Sequence, residues 1–237
     1  MDELKEMFSR QPATAGRPLL GMTVLVVEDS RYTCETLRLM CLRSGARIRR
    51  ADCLASARRH LKVYRPSAVI VDMGLPDGSG LDLIRDLAQA VPRVGVILGM
   101  SGDDGAEAAA RAAGADAFLD KPIGSLSEFQ ERILAALPPE QRPVSPRGVS
   151  SETIDPDRSA YRDDMCHAAS LLKGEDGETL DYVAQFLGGV ARSAQDGPLA
   201  EAASDLGQCP RGQGLRRRKV AQVMDLVRAR IENRTAI

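Results

Sequence analysis

Five side chains able to do chemistry stand just past short apolar runs. Val24-Leu25-Val26-Val27 stops at Glu28 and Asp29, and Val69-Ile70-Val71 stops at Asp72. Val96-Ile97-Leu98 runs through Gly99 and Met100 to Ser101, and Ala117-Phe118-Leu119 leads through Asp120 to Lys121. Runs of this kind suit strands buried on both faces of a parallel sheet. Open α/β sheets place their chemistry outside the carboxyl ends of such strands. If these strands are parallel, one sheet edge collects three carboxylates, a hydroxyl and an ammonium. Three crowded carboxylates repel one another, and a divalent cation relieves that repulsion. Hard oxygen donors in a small, partly hydrated site favour Mg²⁺. Taken singly, Asp72 also reads as a turn or helix-capping residue, Lys121 as a solvated lysine and Ser101 as a turn residue. The shared edge is what sets them apart.

The elements that must position these groups follow in β/α alternation from Thr23. Ser30 can cap a helix whose apolar positions are Leu37, Met40 and Cys41. Residues Ala46 to Ala51 alternate as an edge strand, with arginines that discourage edge pairing. Leu54 to Tyr64 reads as a basic amphipathic helix, with His60 an ordinary surface residue. The loop 73–80 is rich in Gly, Pro and Asp, and Gly80 lets the backbone turn into a helix from Leu81 to Gln89. Asp104 to Ala113 is an alanine-rich helix closed by Gly114. A helix from Ser127 to Leu137 is stopped by Pro138-Pro139. Five βα units joined by right-handed crossovers predict an α/β fold, a five-stranded doubly wound parallel sheet of order 2-1-3-4-5.

The chain has 237 residues, 43% hydrophobic and 27% charged, with a formal net charge of −1, so it can bury a core and its overall charge selects neither nucleic acid nor membrane. It lacks Trp and is poor in aromatics, which argues against base-stacking surfaces. Five scattered cysteines (Cys34, Cys41, Cys53, Cys166, Cys209) with no CxxC pair point to reduced thiols in a cytoplasmic protein, not to disulfides or zinc. No apolar run reaches the roughly 20 residues of a membrane span.

The pieces Val-Leu-Val-Val-Glu28-Asp29-Ser30, Val-Asp72-Met-Gly-Leu-Pro76-Asp-Gly-Ser-Gly80, Met-Ser101-Gly and Phe118-Leu-Asp-Lys121-Pro122, in this order, resemble the response-regulator receiver domain of two-component signalling. The resemblance covers residues 20–138. It implies that Asp72 accepts a phosphoryl group from a histidine kinase or phosphotransfer protein. It also implies that Glu28, Asp29, Asp72 and the backbone carbonyl of Gly74 hold Mg²⁺, and that Lys121 and Ser101 contact phosphoryl oxygens. Ser101 and Phe118 would form the hydroxyl–aromatic switch, altering the surface around 104–114, the last strand and 127–137. A cis Lys121–Pro122 bond is part of the same resemblance. Such a domain is a phospho-acceptor with slow self-dephosphorylation rather than an enzyme. Gly74 and Gly102 depart from the commoner pattern, and both bear on the lifetime of the phosphate.

Around this domain, residues 1–19 read as an extension, with a short helix over Asp2–Ser9 and a flexible lead-in over Gln11–Pro18. Residues 139–157 form a Pro-rich linker. Residues 158–237 show helical spacing only: Ser159–Lys173, Glu178–Ser193, Leu199–Leu206 with Pro198 in the first turn, and Leu215–Glu232. These four helices can form a small bundle, whether alone or with a second copy as a homodimer. Three outputs are consistent with the sequence. The first is a protein-interaction or dimerisation bundle switched by the receiver and aimed at a downstream protein. The second is a DNA-binding region using Arg211 and Arg216–Lys219. The third is a phosphorelay with His167 as a second phospho-site. The basic cluster reads more simply as a solvated charge run.

Overall fold

The computed structural model describes residues 13–103, 105–142, 154, 156–174, 177–210 and 213–232. Five strands, β1 (Thr23–Val27), β2 (Arg47–Ala51), β3 (Ala68–Asp72), β4 (Val96–Ser101) and β5 (Ala117–Asp120), form one parallel sheet in the order β2-β1-β3-β4-β5, as the alternation predicts. The three central strands are β1, β3 and β4. Because side chains alternate along a strand, each central strand supplies both faces. Val24, Val26, Ile70 and Leu98 pack with Leu37 and Met40 of α1 (Arg31–Ser44) and with Phe129 and Ile133 of α5 (Leu126–Ala136). Leu25, Val69, Val71 and Ile97 pack on the other face with α2 (Leu54–Val63), α3 (Gly80–Gln89) and α4 (Ala106–Ala113). Nearly all of these side chains are fully buried, each contributing about 1.5–3 kcal/mol of transfer free energy.

Local chemistry fixes the joints beside the sheet edge. The Ser30 hydroxyl accepts from Thr33 N–H at the start of α1, and Asp77 caps α2 by accepting from Leu54 and Ala55 N–H at 2.8 and 2.9 Å. Gly114 closes α4 in the left-handed conformation at φ 108°. Within the loop after β3, Gly74–Leu75 and Gly78–Ser79 pair as a small antiparallel hairpin. A Cβ at Gly80 would collide with the Asp72 carbonyl, so the chain passes tightly under the end of β3. Leu19, the last residue of the extension, is fully buried in the core, and its N–H donates to Ser44 O. The helix expected over Asp2–Ser9, most of the linker and Arg211 lie outside the described residues.

The remainder is helical: α6 (Arg158–Leu171), α7 (Gly177–Ser193), α8 (Gly197–Gly207) and α9 (Gln213–Glu232). Met165, Leu180, Val183, Leu187, Leu199, Leu206, Val223 and Val227 share one buried core, in line with the apolar stripes read from the sequence. Asp196 ties the bundle together. It accepts from both Nε and Nη2 of Arg230 on α9, from the Tyr161 hydroxyl of α6, and from Leu199 N–H as the cap of α8. The bundle is docked on the sheet domain, and Tyr32 of α1 belongs to its core, edge-on to Tyr161 at 5.8 Å. Among the described residues no helix is long and apolar enough to cross a membrane.

Candidate functional site

The parallel sheet brings all five singled-out side chains to one edge. Glu28 and Asp29 follow β1, Asp72 ends β3, Ser101 ends β4, and Lys121 follows β5. Lys121 Nζ reaches Glu28 Oε2 at 2.7 Å and Asp72 Oδ1 at 2.9 Å. Ser30 N–H donates to Glu28 Oε1 at 3.0 Å, fixing that carboxylate, and Lys121 N–H donates to Ser101 O at 2.8 Å, joining the last two strand ends. The Ser101 hydroxyl accepts from Asp103 N–H at 3.1 Å. The Lys121–Pro122 peptide is cis. Phe118 is buried on the α4 side of the sheet, facing Gly99, where an added Cβ would lie 3.2 Å from its ring.

Charge is in excess here. One ligand oxygen from each of Glu28, Asp29 and Asp72 can be chosen so that all lie within 4.8 Å of one another. Burial pushes Glu28 up to about 7 against the opposing pull of Lys121, with the Asp29 charge adding to the rise. Burial likewise raises Asp72 to about 7, with Lys121 lowering and Glu28 raising it. Asp29 is raised by burial, although a hydrogen bond from Tyr182 acts the other way. Lys121 is itself buried, which disfavours its charge, yet Asp72 and Glu28 together keep it firmly protonated. One ammonium therefore faces three clustered carboxylates and touches two of them, Glu28 and Asp72.

The sequence did not point to the second half of the site. Helix α7 lies across the sheet edge. The Tyr182 hydroxyl donates to Asp29 Oδ2 at 2.5 Å, Gln185 Nε2 sits 3.4 Å from Asp103 Oδ2, and Arg192 Nη2 is 3.5 Å from Asp103 Oδ1. Helix α6 anchors this arrangement. Asp164, almost fully buried, accepts from the Ser30 hydroxyl at 2.8 Å, Arg31 N–H at 2.8 Å and Tyr32 N–H at 3.0 Å. It thus caps the first turn of α1 from another domain, where an anion also complements the helix dipole. Arg31 and Asp163 add an exposed ion pair beside it. No pattern in the sequence distinguishes Asp164, Tyr182, Gln185 or Arg192 from ordinary polar positions on amphipathic helices.

The other sequence candidates are placed elsewhere. His167 is exposed on α6, edge-on to the Phe186 ring at 5.6 Å, in a wide cleft that Glu28 and Asp29 also line. The basic cluster on α9 is partly spent within the bundle: Arg216 is buried and pairs with Asp181, and Lys219 pairs with Asp205.

Residues 24–134 match the family described as the response regulator receiver domain. Residues 24–134 are a receiver domain. Over 116 residues the chain is 38% identical to the KDP operon transcriptional regulatory protein KdpE of Escherichia coli (strain K12), covering 48% of this chain and 50% of that protein. Over 114 residues it is 33% identical to the transcriptional regulatory protein KdpE of Mycobacterium tuberculosis (strain ATCC 25618 / H37Rv), again 48% of this chain and 50% of the relative. A crystal structure of a response regulator protein from Burkholderia pseudomallei with a phosphorylated aspartic acid, calcium ion and citrate aligns with TM-score 0.43 and 26% identity, over 47% of this chain and 66% of that one. The chain spans about half the length of the curated relatives named here. The receiver carries the acidic edge, and α7 is what lies over it.

Proposed function

We propose that this chain is a response regulator in which Asp72 accepts a phosphoryl group from a histidine kinase or phosphotransfer protein, and in which the helical bundle is the module that phosphorylation docks or releases. The observation that carries this reading is the sheet edge itself, where Lys121 bridges Asp72 and Glu28 beside Ser101. Phosphoryl transfer asks little covalent chemistry of a protein and much positioning and charge neutralisation. The Asp72 carboxylate attacks phosphorus in line while the P–N bond to the donor's histidine breaks, its electron pair returning to the imidazole. Lys121 moves its contact from Asp72 to a phosphoryl oxygen, and Ser101 donates its hydroxyl proton to another. Withdrawal of Ser101 toward the phosphoryl group vacates space that Phe118 can fill.

The donor set fits Mg²⁺: three carboxylates whose ligand atoms cluster, all raised by burial, with one ammonium to balance them. Glu28, Asp29, Asp72 and the Gly74 carbonyl would hold the ion. Bound there, it supplies charge neutralisation for the transferring group. A donor protein must reach the same edge that α7 covers, so docking and phosphorylation by a protein donor compete. The relatives are transcriptional regulators, but Arg216 and Lys219 are engaged with Asp181 and Asp205, which favours a protein-interaction output over direct DNA contact.

The test is labelling by a small phospho-donor such as phosphoramidate, with and without Mg²⁺. Label is expected on Asp72 only with Mg²⁺, and is abolished by Asp72→Asn. Continued labelling of D72N would overturn the assignment, and acid-labile label on His167 would move the reading to a phosphorelay.

A further inference from the structure

Helix α7 does more than cover the receiver edge: two of its side chains occupy positions around Asp72 that no group of the receiver fills. Gly74, two residues past Asp72, has no side chain, and the Gln185 carboxamide takes its place. A Cβ at Gly74 would lie 2.5 Å from Gln185 Nε2 and 3.0 Å from its Oε1. Two turns further along α7, Arg192 lies against Gly102. A Cβ at Gly102 would sit 3.0 Å from Arg192 Nη2 and 3.1 Å from Nε. The Arg192 Nε–H is buried and has no hydrogen-bond partner, an arrangement that is unfavourable unless another state satisfies it. Both side chains line a cavity of about 30 Å³ whose other walls include Asp72, Ser101 and Lys121. That is room enough for a water molecule in a polar setting.

Resting on the reading of Asp72 as the phospho-acceptor, we propose that the bundle is a built-in phosphatase: docked α7 supplies Gln185 to hold the attacking water and Arg192 to stabilise the phosphoryl group, so that the chain hydrolyses its own aspartyl phosphate. The water oxygen attacks phosphorus on the side opposite the Asp72 oxygen. A P–O bond to water forms, and the P–O bond to Asp72 breaks with its electron pair returning to the carboxylate. The protons of the water leave with inorganic phosphate and to solvent. A carboxamide suits the task because it accepts from the water through Oε1 while Nε2 donates elsewhere. Here Nε2 faces Asp103 Oδ2 at 3.4 Å, which turns Oε1 away from that carboxylate. A glutamine orienting water and an arginine supplied beside the transferring phosphoryl group are recurring parts of nucleoside triphosphate hydrolysis, which also breaks a phosphoanhydride bond. The missing side chain at 74 has a purpose on this reading, since any Cβ there would displace the glutamine.

The experiment uses the full chain. The protein is labelled with phosphoramidate and Mg²⁺, the donor is removed by rapid desalting, and loss of aspartyl phosphate is followed in the wild type, Gln185→Ala and Arg192→Ala. Beryllofluoride affinity with Mg²⁺ is measured in parallel, because that mimic needs the phosphoryl contacts but no attacking water. Hydrogen exchange over residues 177–193 reports docking. The expected result is that Q185A slows decay at least about tenfold, with beryllofluoride affinity and docking unchanged. R192A is expected to slow decay and also weaken beryllofluoride. A wild-type decay rate in Q185A overturns the proposal, as does faster decay, which would make α7 a shield. Equal losses of decay rate, beryllofluoride affinity and docking in Q185A also overturn it, reducing Gln185 to a packing residue. Failure of Asp72 to label at all would instead overturn the phospho-acceptor reading on which this rests.

Discussion

Removing Asp164 should unlatch the bundle from the receiver. Its carboxylate accepts three hydrogen bonds, from the Ser30 hydroxyl and the Arg31 and Tyr32 amides, all between 2.8 and 3.0 Å. Hydrogen bonds to a charged group contribute roughly 1.5–3 kcal/mol each in net terms, and loss of a helix cap alone costs about 1 kcal/mol. Against this stands the cost of burying the carboxylate, which shows in its raised pKa despite those three donors. A net loss of about 3 kcal/mol for Asp164→Ala is a reasonable balance, or roughly a 150-fold shift in the docking equilibrium. Helix α1 keeps its own cap, since Ser30 still accepts from Thr33, so the receiver should stay folded. The assay is hydrogen exchange resolved over residues 23–35 and 177–193. D164A should speed exchange in both segments, while Asp163→Asn, which breaks only the exposed pair with Arg31, should change docking by no more than about 0.5 kcal/mol. Equal exchange in D164A and D163N would refute the claim that this buried carboxylate holds the two domains together.

Three further outcomes follow from the charged groups. Asp196→Ala should destabilise the bundle by about 2–4 kcal/mol, since it removes a bidentate arginine contact and a helix cap at once; thermal unfolding followed by circular dichroism measures it. Glu28 and Asp72 are raised from 4.5 and 3.8 to about 7. The folded metal-free protein therefore binds more protons than the unfolded chain between those values, and its stability should fall as pH rises from about 4 to 7. Mg²⁺ competes with the same protons, so its affinity should weaken about tenfold per proton per pH unit below 7. Calorimetric titration with Mg²⁺ at pH 6 and 8 checks this, and an affinity flat with pH would contradict it.

The receiver half was legible because its chemistry is tied to periodicity. Apolar runs mark strands, a parallel sheet aligns their ends, and Glu28, Asp29, Asp72, Ser101 and Lys121 then have no choice but to meet. The bundle's helices were legible within two residues at their ends for the same reason, as the stripe Leu180, Val183, Leu187 shows. Where the bundle docks was not. Gln185 and Arg192 lie on the face of α7 away from that stripe, Tyr182 packs at the margin of the bundle core, and none of the three shows its partner until a surface is brought against it. Asp164 is the clearest case. Its value depends on the amides of Arg31 and Tyr32, more than 130 positions away, and no local pattern encodes a partner at that distance. Arg216 misled in the opposite sense, since a basic run suggests a solvated or nucleic-acid-facing stretch, yet one member is buried on Asp181.

Tyr32 belongs to the receiver by chain position and to the bundle by packing. A cut at the linker would strand an aromatic plug on the wrong fragment. A bundle spliced onto another receiver would inherit an empty socket beside Tyr161 unless the new host offered a matching ring at the first turn of its leading helix. Substitutions at either side of that plug should therefore be compensated across the junction rather than within one domain.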